Sequence, residues 1–453
     1  MKIFLFILPF LGFTRASAQS FTVTIDGSHR TTLDSIDLMG QEFEIERVVF
    51  YRTLPVRPGK TTTKTLSIPA PIVLQVGETE FLACGGDSIH LSYDRQDKKY
   101  RIDGGRYTGN YRLYSMLSAM RYPRDLFRTA DDNYEEYVRS VDSVSGHAMS
   151  LIKEEREKGS LSSDASDYMT AFIKYRHLTE LMTLPSKTAQ ALLPVTHSSL
   201  FPTVTPEDFH KDQYAGMMAY IFCARTYVRN RMRLTEEVRK DQMARNIAYA
   251  IDSLSGGTRE RVLYSFIVPS GYKGNGDKSA LTALFDRIRA LQLPAYYSTA
   301  IEKQYKKDML EEEPLDAGLL TQALLKTSDG KAVSLQSILD TSREEKIFIQ
   351  FREYGIDVKY SGSIPGEPIT TEKPRVINVY LNGSVQNWQK YCKKQGIRTD
   401  EYYLSGGLKN PLAAYLLISR LPAWVALNRS GKIENIDLTL PDMFRYNLTS
   451  FNK

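Results

Sequence analysis

After its first residues the chain alternates apolar and polar positions, and further on it exchanges that rhythm for helical spacing. Phe21, Val23 and Ile25 are separated by Thr22 and Thr24, the period of a half-buried strand. Phe43 and Ile45 alternate between acids, residues 72–76 form a short apolar run, and Ile89, Leu91 and Tyr93 alternate again. Gly27-Ser28, Pro58-Gly59, Gly77 and Gly85-Gly86-Asp87 punctuate these runs as turns. The basic, threonine-rich piece 57–64 reads as a solvated hairpin loop. Short strands with regular turns predict a small β-sandwich-like or barrel domain over 19–105.

From 106 to 313 the spacing becomes three and four. Tyr134, Tyr137, Val138, Val141 and Val144 follow it, as do Met217, Ile221 and Ala224. Leu281, Leu284, Phe285, Ile288 and Leu291 mark an amphipathic helix. Breaks fall at 159–163, 185–186, 194–206, 256–257 and 269–276. This stretch predicts a helical region of roughly six to eight helices whose stripes of Met and aromatic residues form core. Beyond it, helices and apolar strands mix over 318–453.

The start of the chain reads differently again. Met1 and Lys2 precede an apolar run over 3–13, and Ala16-Ser17-Ala18 supplies a small-x-small cleavage pattern. Residues 1–18 read as a secretory signal peptide cut before Gln19. The run is too short to span about 30 Å of hydrocarbon, which argues against an anchor. The first cysteine is Cys84, so no lipid attachment site adjoins the cut, and no later stretch is apolar for long enough to cross a membrane. The expected location is the periplasm of a Gram-negative cell, free or on the periplasmic face of a membrane complex.

Composition narrows the class. At 453 residues, two or three domains are expected. A 42% hydrophobic, 25% charged and 11% aromatic chain is neither mainly disordered nor collagen-like. The formal charge of +6 is mild and no run concentrates it, which argues against a nucleic-acid partner. Three cysteines exclude a disulfide-stapled scaffold.

Candidate chemistry in the helical stretch is sparse. Arg225, Arg229 and Arg233, with Arg231, Arg239, Lys240 and Arg245 nearby, put positive charge on a helix where phosphate or an acidic partner would bind. Glu236, Glu237 and Asp241 dilute it, so a solvated charged face is the simpler reading. Residues 271–279 approach the phosphate-loop pattern G-x-x-x-x-G-K-[ST], but Asp277 intrudes between Gly276 and Lys278 and would repel phosphate. The simpler role for Asp277 is to cap the following helix. His147, His177, His197 and His210 show no metal-ligand spacing, and His90 reads as a solvated strand residue. Nucleophile–base motifs are absent, so the pattern predicts no catalytic residue, no metal and no cofactor.

The C-terminal stretch 318–453 resembles the thioredoxin-like domains of exported TlpA/ResA-type thiol-disulfide oxidoreductases. The similar elements occur in order along the chain. Thr327-Ser328-Asp329-Gly330-Lys331-Ala332-Val333-Ser334-Leu335 matches an opening that precedes a short helix over 335–339. Ile347-Phe348-Ile349-Gln350-Phe351 matches the central strand, and Val376-Ile377-Asn378-Val379-Tyr380 the next parallel one. Trp388 to Gly396 matches a helix, 408–419 matches another, and Leu421-Pro422-Ala423-Trp424-Val425-Ala426-Leu427 matches the family's X-Pro turn and buried strand. Upstream, Gly85-Gly86-Asp87-Ser88-Ile89 looks like the P-G-D-S-I turn of a small N-terminal β-domain that precedes such domains, with Gly85 in place of the proline.

The resemblance implies an α+β multidomain chain: an N-terminal β-sandwich-like domain over 19–105, a central helical region over 106–313, and a C-terminal thioredoxin-like α/β fold over 318–453. It implies a cis bond before Pro422. The departure lies at the site. The family's two cysteines would fall on Ile356 and Lys359, and 352–359 holds no thiol. The helix that would follow is interrupted by Pro365, Pro368 and Pro374. Both the nucleophile and the helix terminus that lowers its pKa are therefore missing. What remains is the fold's peptide-binding face, here Tyr354, Gly355, Ile356, Asp357, Val358 and Lys359, facing Leu421 and Pro422. The expected function is non-catalytic binding of a protein or peptide partner in the envelope. Two alternatives stay open: redox chemistry through Cys392 or another cysteine, and a small ligand or phosphate held by Arg225, Arg229 and Arg233.

Overall fold

The computed structural model describes residues 19–28, 34–42, 47–68, 71–76, 79–94, 96, 99–122, 134–183, 204–233, 242–269, 277–354, 375–396, 399–419 and 421–436. The leader 1–18, Phe43, Ile45 and the prolines of 360–374 lie outside them. The fold is mixed α/β, and the chain divides into two compact units, Met1–Phe266 and Ile267–Lys453.

The first unit opens with strands β1 (Gln19–Asp26), β2 (Asp34–Glu42), β3 (Arg47–Val56), β4 (Thr61–Ile68), β5 (Ile72–Val76), β6 (Thr79–Ala83), β7 (Ser88–Asp94) and β8 (Lys99–Gly105). They form two four-stranded sheets, ordered β4-β1-β7-β8 and β3-β2-β5-β6. In β1, Phe21, Val23 and Ile25 are buried, and the alternating threonines face outward. One apolar cluster draws on both sheets, taking Phe21 and Ile89 from the first and Leu54, Leu74 and Phe81 from the second. The first sheet thus hides one face and wets the other, whereas β6 of the second is buried on both, with Phe81 and Leu82 fully buried on opposite sides. The piece 57–64 is not all loop. Residues from Thr61 onward belong to β4, where Thr63 pairs with Thr24 and Lys64 with Val23. The β-branched threonines suit a half-exposed strand, and their polarity reflects its wet face rather than a turn.

Helices follow: α1 (Thr108–Ala119), α2 (Tyr134–Glu157), α3 (Ser163–Met182), α4 (Met218–Arg233), α5 (Gln242–Ser253) and α6 (Gly256–Ile267). Two single-turn 3-10 segments, Pro206–Phe209 and Asp212–Tyr214, precede α4. Tyr175 of α3 packs edge-on against Tyr220 of α4, ring centroids 4.7 Å apart, with Phe209 and Tyr214 around them.

The second unit contains α7 (Lys278–Ala290), α8 (Ala295–Leu310), α9 (Ala317–Gln322), β9 (Leu324–Lys326), β10 (Ala332–Ser334), α10 (Leu335–Thr341), β11 (Lys346–Arg352), β12 (Arg375–Tyr380), α11 (Val385–Gln395), β13 (Glu401–Tyr403), α12 (Pro411–Tyr415), β14 (Ala423–Asn428) and β15 (Ile433–Ile436). The boundary between units falls inside the stretch 106–313, so α7 and α8 belong here. Asp277 caps α7 as its position predicts, its Oδ1 accepting from the backbone N–H groups of Ser279 and Ala280 at 3.0 Å.

The sheet is ordered β10-β9-β13-β12-β11-β14-β15. β11 runs parallel to β12 and antiparallel to β14, and β12 runs parallel to β13. β11 is buried along both faces, hence its mostly apolar run, interrupted by the buried Gln350. On one face Ile347, Ile349 and Phe351 join Leu335 and Leu339 of α10 and Leu412 of α12. On the other, Tyr380 and Tyr403 join Trp388 and Cys392 of α11. The helix expected over 408–419 is shorter than its apolar pattern. Asn410 caps it, Pro411 starts it, and Leu417 ends it in a left-handed conformation with φ 56°.

Candidate functional site

Ligands of open α/β sheets gather outside the carboxyl ends of parallel strands. In the second unit that edge is made by Arg352 at the end of β11 and Tyr354 after it, Leu381, Asn382 and Gly383 after β12, and Tyr403 at the end of β13. The backbone there is closely held. The N–H of Leu381 donates to the carbonyl of Arg352 at 3.1 Å, and the N–H of Tyr354 donates to Asn382 Oδ1 at 2.9 Å. The Tyr403 hydroxyl donates to the Gly383 carbonyl at 2.6 Å.

Aromatic rings fill the space behind these bonds. The Tyr354 ring lies 5.8 Å from that of Tyr391, which lies 6.3 Å from that of Tyr380. Trp388 stands 6.1 Å from Tyr380 and 5.8 Å from Tyr403. The Arg352 guanidinium lies over Tyr380, 5.5 Å from its centroid. Gly383 has φ +70°, and a side chain there would run into the Tyr354 ring, so glycine is required twice over.

One row deeper, the register brings Gln350, Asn378 and Glu401 side by side on neighbouring strands. Asn378 Nδ2 donates to Glu401 Oε1 at 2.7 Å. Burial pushes the Glu401 carboxyl above its ordinary range, against the opposing pull of Tyr380, Asn378 and Arg352.

The expected site residues separate into two groups. Tyr354 is at the edge, and Leu421 and Pro422 lie at the start of β14, one step beyond the last rung, Phe351 with Ala423. The Leu421–Pro422 bond is cis, as the resemblance implies, and Pro422 is exposed while Leu421 packs on the core. Gly355, Ile356, Asp357, Val358 and Lys359 lie outside the described residues. Sequence reasoning missed Arg352, Asn382, Gly383, Tyr391 and Tyr403. A signal was there: Asn382-Gly383-Ser384 after a strand is a turn followed by a helix cap, and Ser384 does cap α11.

The thiols sit elsewhere. Cys84, Cys223 and Cys392 are free and buried. Burial pushes Cys84 and Cys223 up to about 12 and, with the nearby Glu401 carboxylate, Cys392 up to about 11. All three therefore stay protonated at neutral pH, the opposite of a reactive thiol.

The remaining candidates resolve into structural roles. Arg225 and Arg229 are half-buried over the Phe266 ring at 5.4 and 5.6 Å, not arrayed on an open face, and the Arg233 side chain lies outside the described residues. The Lys278 ammonium bonds the Met309 carbonyl and the Glu313 carboxylate. His90 pairs with Asp103 at 2.7 Å on the wet face of its sheet, and His210 meets the Ser253 carbonyl at 3.1 Å. His177 lies between Ser145 Oγ at 2.9 Å and Asp142 at 3.4 Å, but Ser145 is buried and closed to a substrate. Among the described residues no group of His, Cys, Asp or Glu is placed to hold a metal, and no helix is long and apolar enough to cross a membrane.

No protein-family model and no curated protein matches the chain. Among solved structures it is similar to a thiol-disulfide oxidoreductase from Bacteroides fragilis, 16% identical over 28% of this chain and 95% of that one, with a TM-score of 0.21. A thioredoxin-like protein from Bacteroides caccae is 12% identical over 62% of this chain and 94% of that one, with a TM-score of 0.26. At these identities and scores nothing of their activity transfers to this chain.

Proposed function

We propose that the second unit is a thioredoxin-like domain without dithiol chemistry, and that its edge around Arg352, Tyr354 and Pro422 binds an extended segment of a protein partner. The reading is supported by the order of the sheet, with parallel β12 and antiparallel β14 flanking β11 and helices on both faces. The observation that carries it is the built edge. At the carboxyl ends of the strands stands an aromatic and cationic surface, its backbone pinned by Asn382 and Tyr403. Such a surface offers stacking faces and backbone groups to a peptide but no electron-transfer group. The leader pattern and the absence of a later apolar span fit a site in the periplasm or on an envelope complex. The first unit's paired sheets would then be a β-sandwich-like accessory part.

The test is site-specific photo-crosslinking in the full chain. A photoreactive residue replacing Glu353 should yield a discrete protein adduct in the envelope, and the same residue replacing the exposed Lys331 should not. Adding Tyr354→Ala should weaken the adduct strongly. No adduct at 353, or one indifferent to Tyr354, would overturn the reading. So would insulin-disulfide reduction by the purified chain above the uncatalysed rate.

A further inference from the structure

The first unit contains a cleft of about 470 Å³ that the binding edge of the second unit does not involve. One wall is a stripe of α3: Asp164, Asp167, Ala171 and Lys174. Their spacing of three, four and three residues puts all four on one helical face. The small Ala171 leaves the middle of the stripe low, and the buried Tyr168 and Tyr175 make the floor beside it. The opposite wall brings Lys211 and Tyr214 from the turns before α4, and Pro71 closes one side.

The charges along α3 are sorted by sign. Asp164 and Asp167 are exposed toward its start and Lys174 further along it, and Lys211 of the opposite wall is exposed as well. Asp167 and Lys174 are seven residues apart, which at 1.5 Å per residue is about 10 Å along the helix. That is too far for them to neutralise each other. Neither Asp167 nor Lys211 forms an ion pair among the described residues, and the contact of Lys174 with Asp208 is a long 3.9 Å. Lys174 instead lies 5.6 Å from the centre of the Tyr175 ring, at the floor's edge.

We propose that this cleft holds a free peptide of about three residues by both of its ends. Three extended residues span about 10 Å, which matches the rise along α3 from Asp167 to Lys174. The ammonium terminus meets Asp164 and Asp167, and the carboxylate terminus meets Lys174 and Lys211. The central side chain lies over Ala171 between the tyrosine rings, where an aromatic residue gains most. A dipeptide is too short to reach both ends, and a chain without free termini lacks both charges.

The experiment is calorimetric titration of the full chain with Ala-Phe-Ala, and with the same peptide acetylated at its amino end or amidated at its carboxyl end. The free peptide should bind, and each block should weaken it about tenfold, the worth of a charge-assisted bond. Asp167→Asn should erase the penalty for acetylation and Lys211→Gln the penalty for amidation. Both residues are exposed, so neither variant should disturb folding. No binding at millimolar peptide, equal binding of blocked and free peptides, or binding indifferent to both substitutions would overturn the proposal.

Discussion

Asn110 Nδ2 donates to Asp87 Oδ2 at 2.6 Å inside the first unit, with both side chains almost fully buried. The other Asp87 oxygen accepts from the N–H groups of Ser88 and Tyr107, and Asn110 Oδ1 accepts from the N–H of Ser162. One pair thus fastens the turn between β6 and β7 to the starts of α1 and α3. Asn110→Ala should cost about 2 kcal/mol or more, because it strands a buried carboxylate. Burial already holds Asp87 above its ordinary range, so the folded state binds its proton more tightly than the unfolded one. The stability this group contributes is present at low pH and lost as pH rises through its raised value. Losing the Asn110 donor raises that value further. The urea midpoint of Asn110→Ala should therefore fall further below that of the parent at pH 7 than at pH 4. An equal deficit at both would contradict the pairing.

Gly383 and Tyr354 make the second test, because they define the binding edge. Gly383→Ala meets both a left-handed backbone, φ +70°, and the Tyr354 ring. The cost should be about 1–3 kcal/mol. In a Tyr354→Ala background the steric part should vanish and the backbone part remain. A double-mutant cycle should then show coupling of about 0.5 kcal/mol or more in urea unfolding. Strict additivity would mean that the ring does not lie where the edge requires it.

These two relationships differ in how far the sequence discloses them. Local periodicity foretold Phe21, Val23 and Ile25 facing inward and the amphipathic face of α7, and the resemblance placed a helix up to Gly396, which ends α11 at φ +69°. Each is decided within a few residues by side-chain period or backbone freedom. The Asp87 turn stood out as a motif, but its partners lie at 110 and 162, set by how the helices dock. The aromatic edge was less legible still. Tyr354, Tyr391 and Tyr403 come from three separate elements, and only strand register together with the docking of α11 makes them neighbours. The threonines of β4 misled for a related reason: their polarity reports one wet face and says nothing of pairing with β1.

Thiol accessibility gives the third prediction. The protein has three cysteines, all buried and all held well above neutral pH. The native chain should react with a disulfide reagent such as DTNB far more slowly than a free thiol does, and urea should release Cys84 and Cys223 as the first unit unfolds and Cys392 as the second does. A thiol titrating fast in the native state would revive redox chemistry. Changing Cys84 and Cys223 to Ser, and Cys392 to Ala so that its buried cluster behind the edge stays apolar, should leave partner crosslinking at position 353 intact, because none of the three thiols is exposed.

Glu401 supplies the fourth, through the polar row behind the edge. Burial raises its carboxyl above the ordinary range, and the Tyr380 hydroxyl, Asn378 and Arg352 only partly oppose this. The folded chain therefore keeps the proton to a higher pH than the unfolded chain. The sign follows from linkage: the stability contributed by Glu401 is complete below its unfolded pKa and drains away as pH rises through the folded one. Gln keeps the oxygen that Asn378 bonds and cannot ionise. Glu401→Gln should thus raise the urea midpoint above that of the parent at pH 8, and the gap should close toward pH 4. Crosslinking from position 353 should be unchanged, since Glu401 stands one row behind the surface. A midpoint lowered at pH 8 would mean that the ionised carboxylate is a stabilising partner of Arg352, and that the row is an ion-pair network instead of a buried acid.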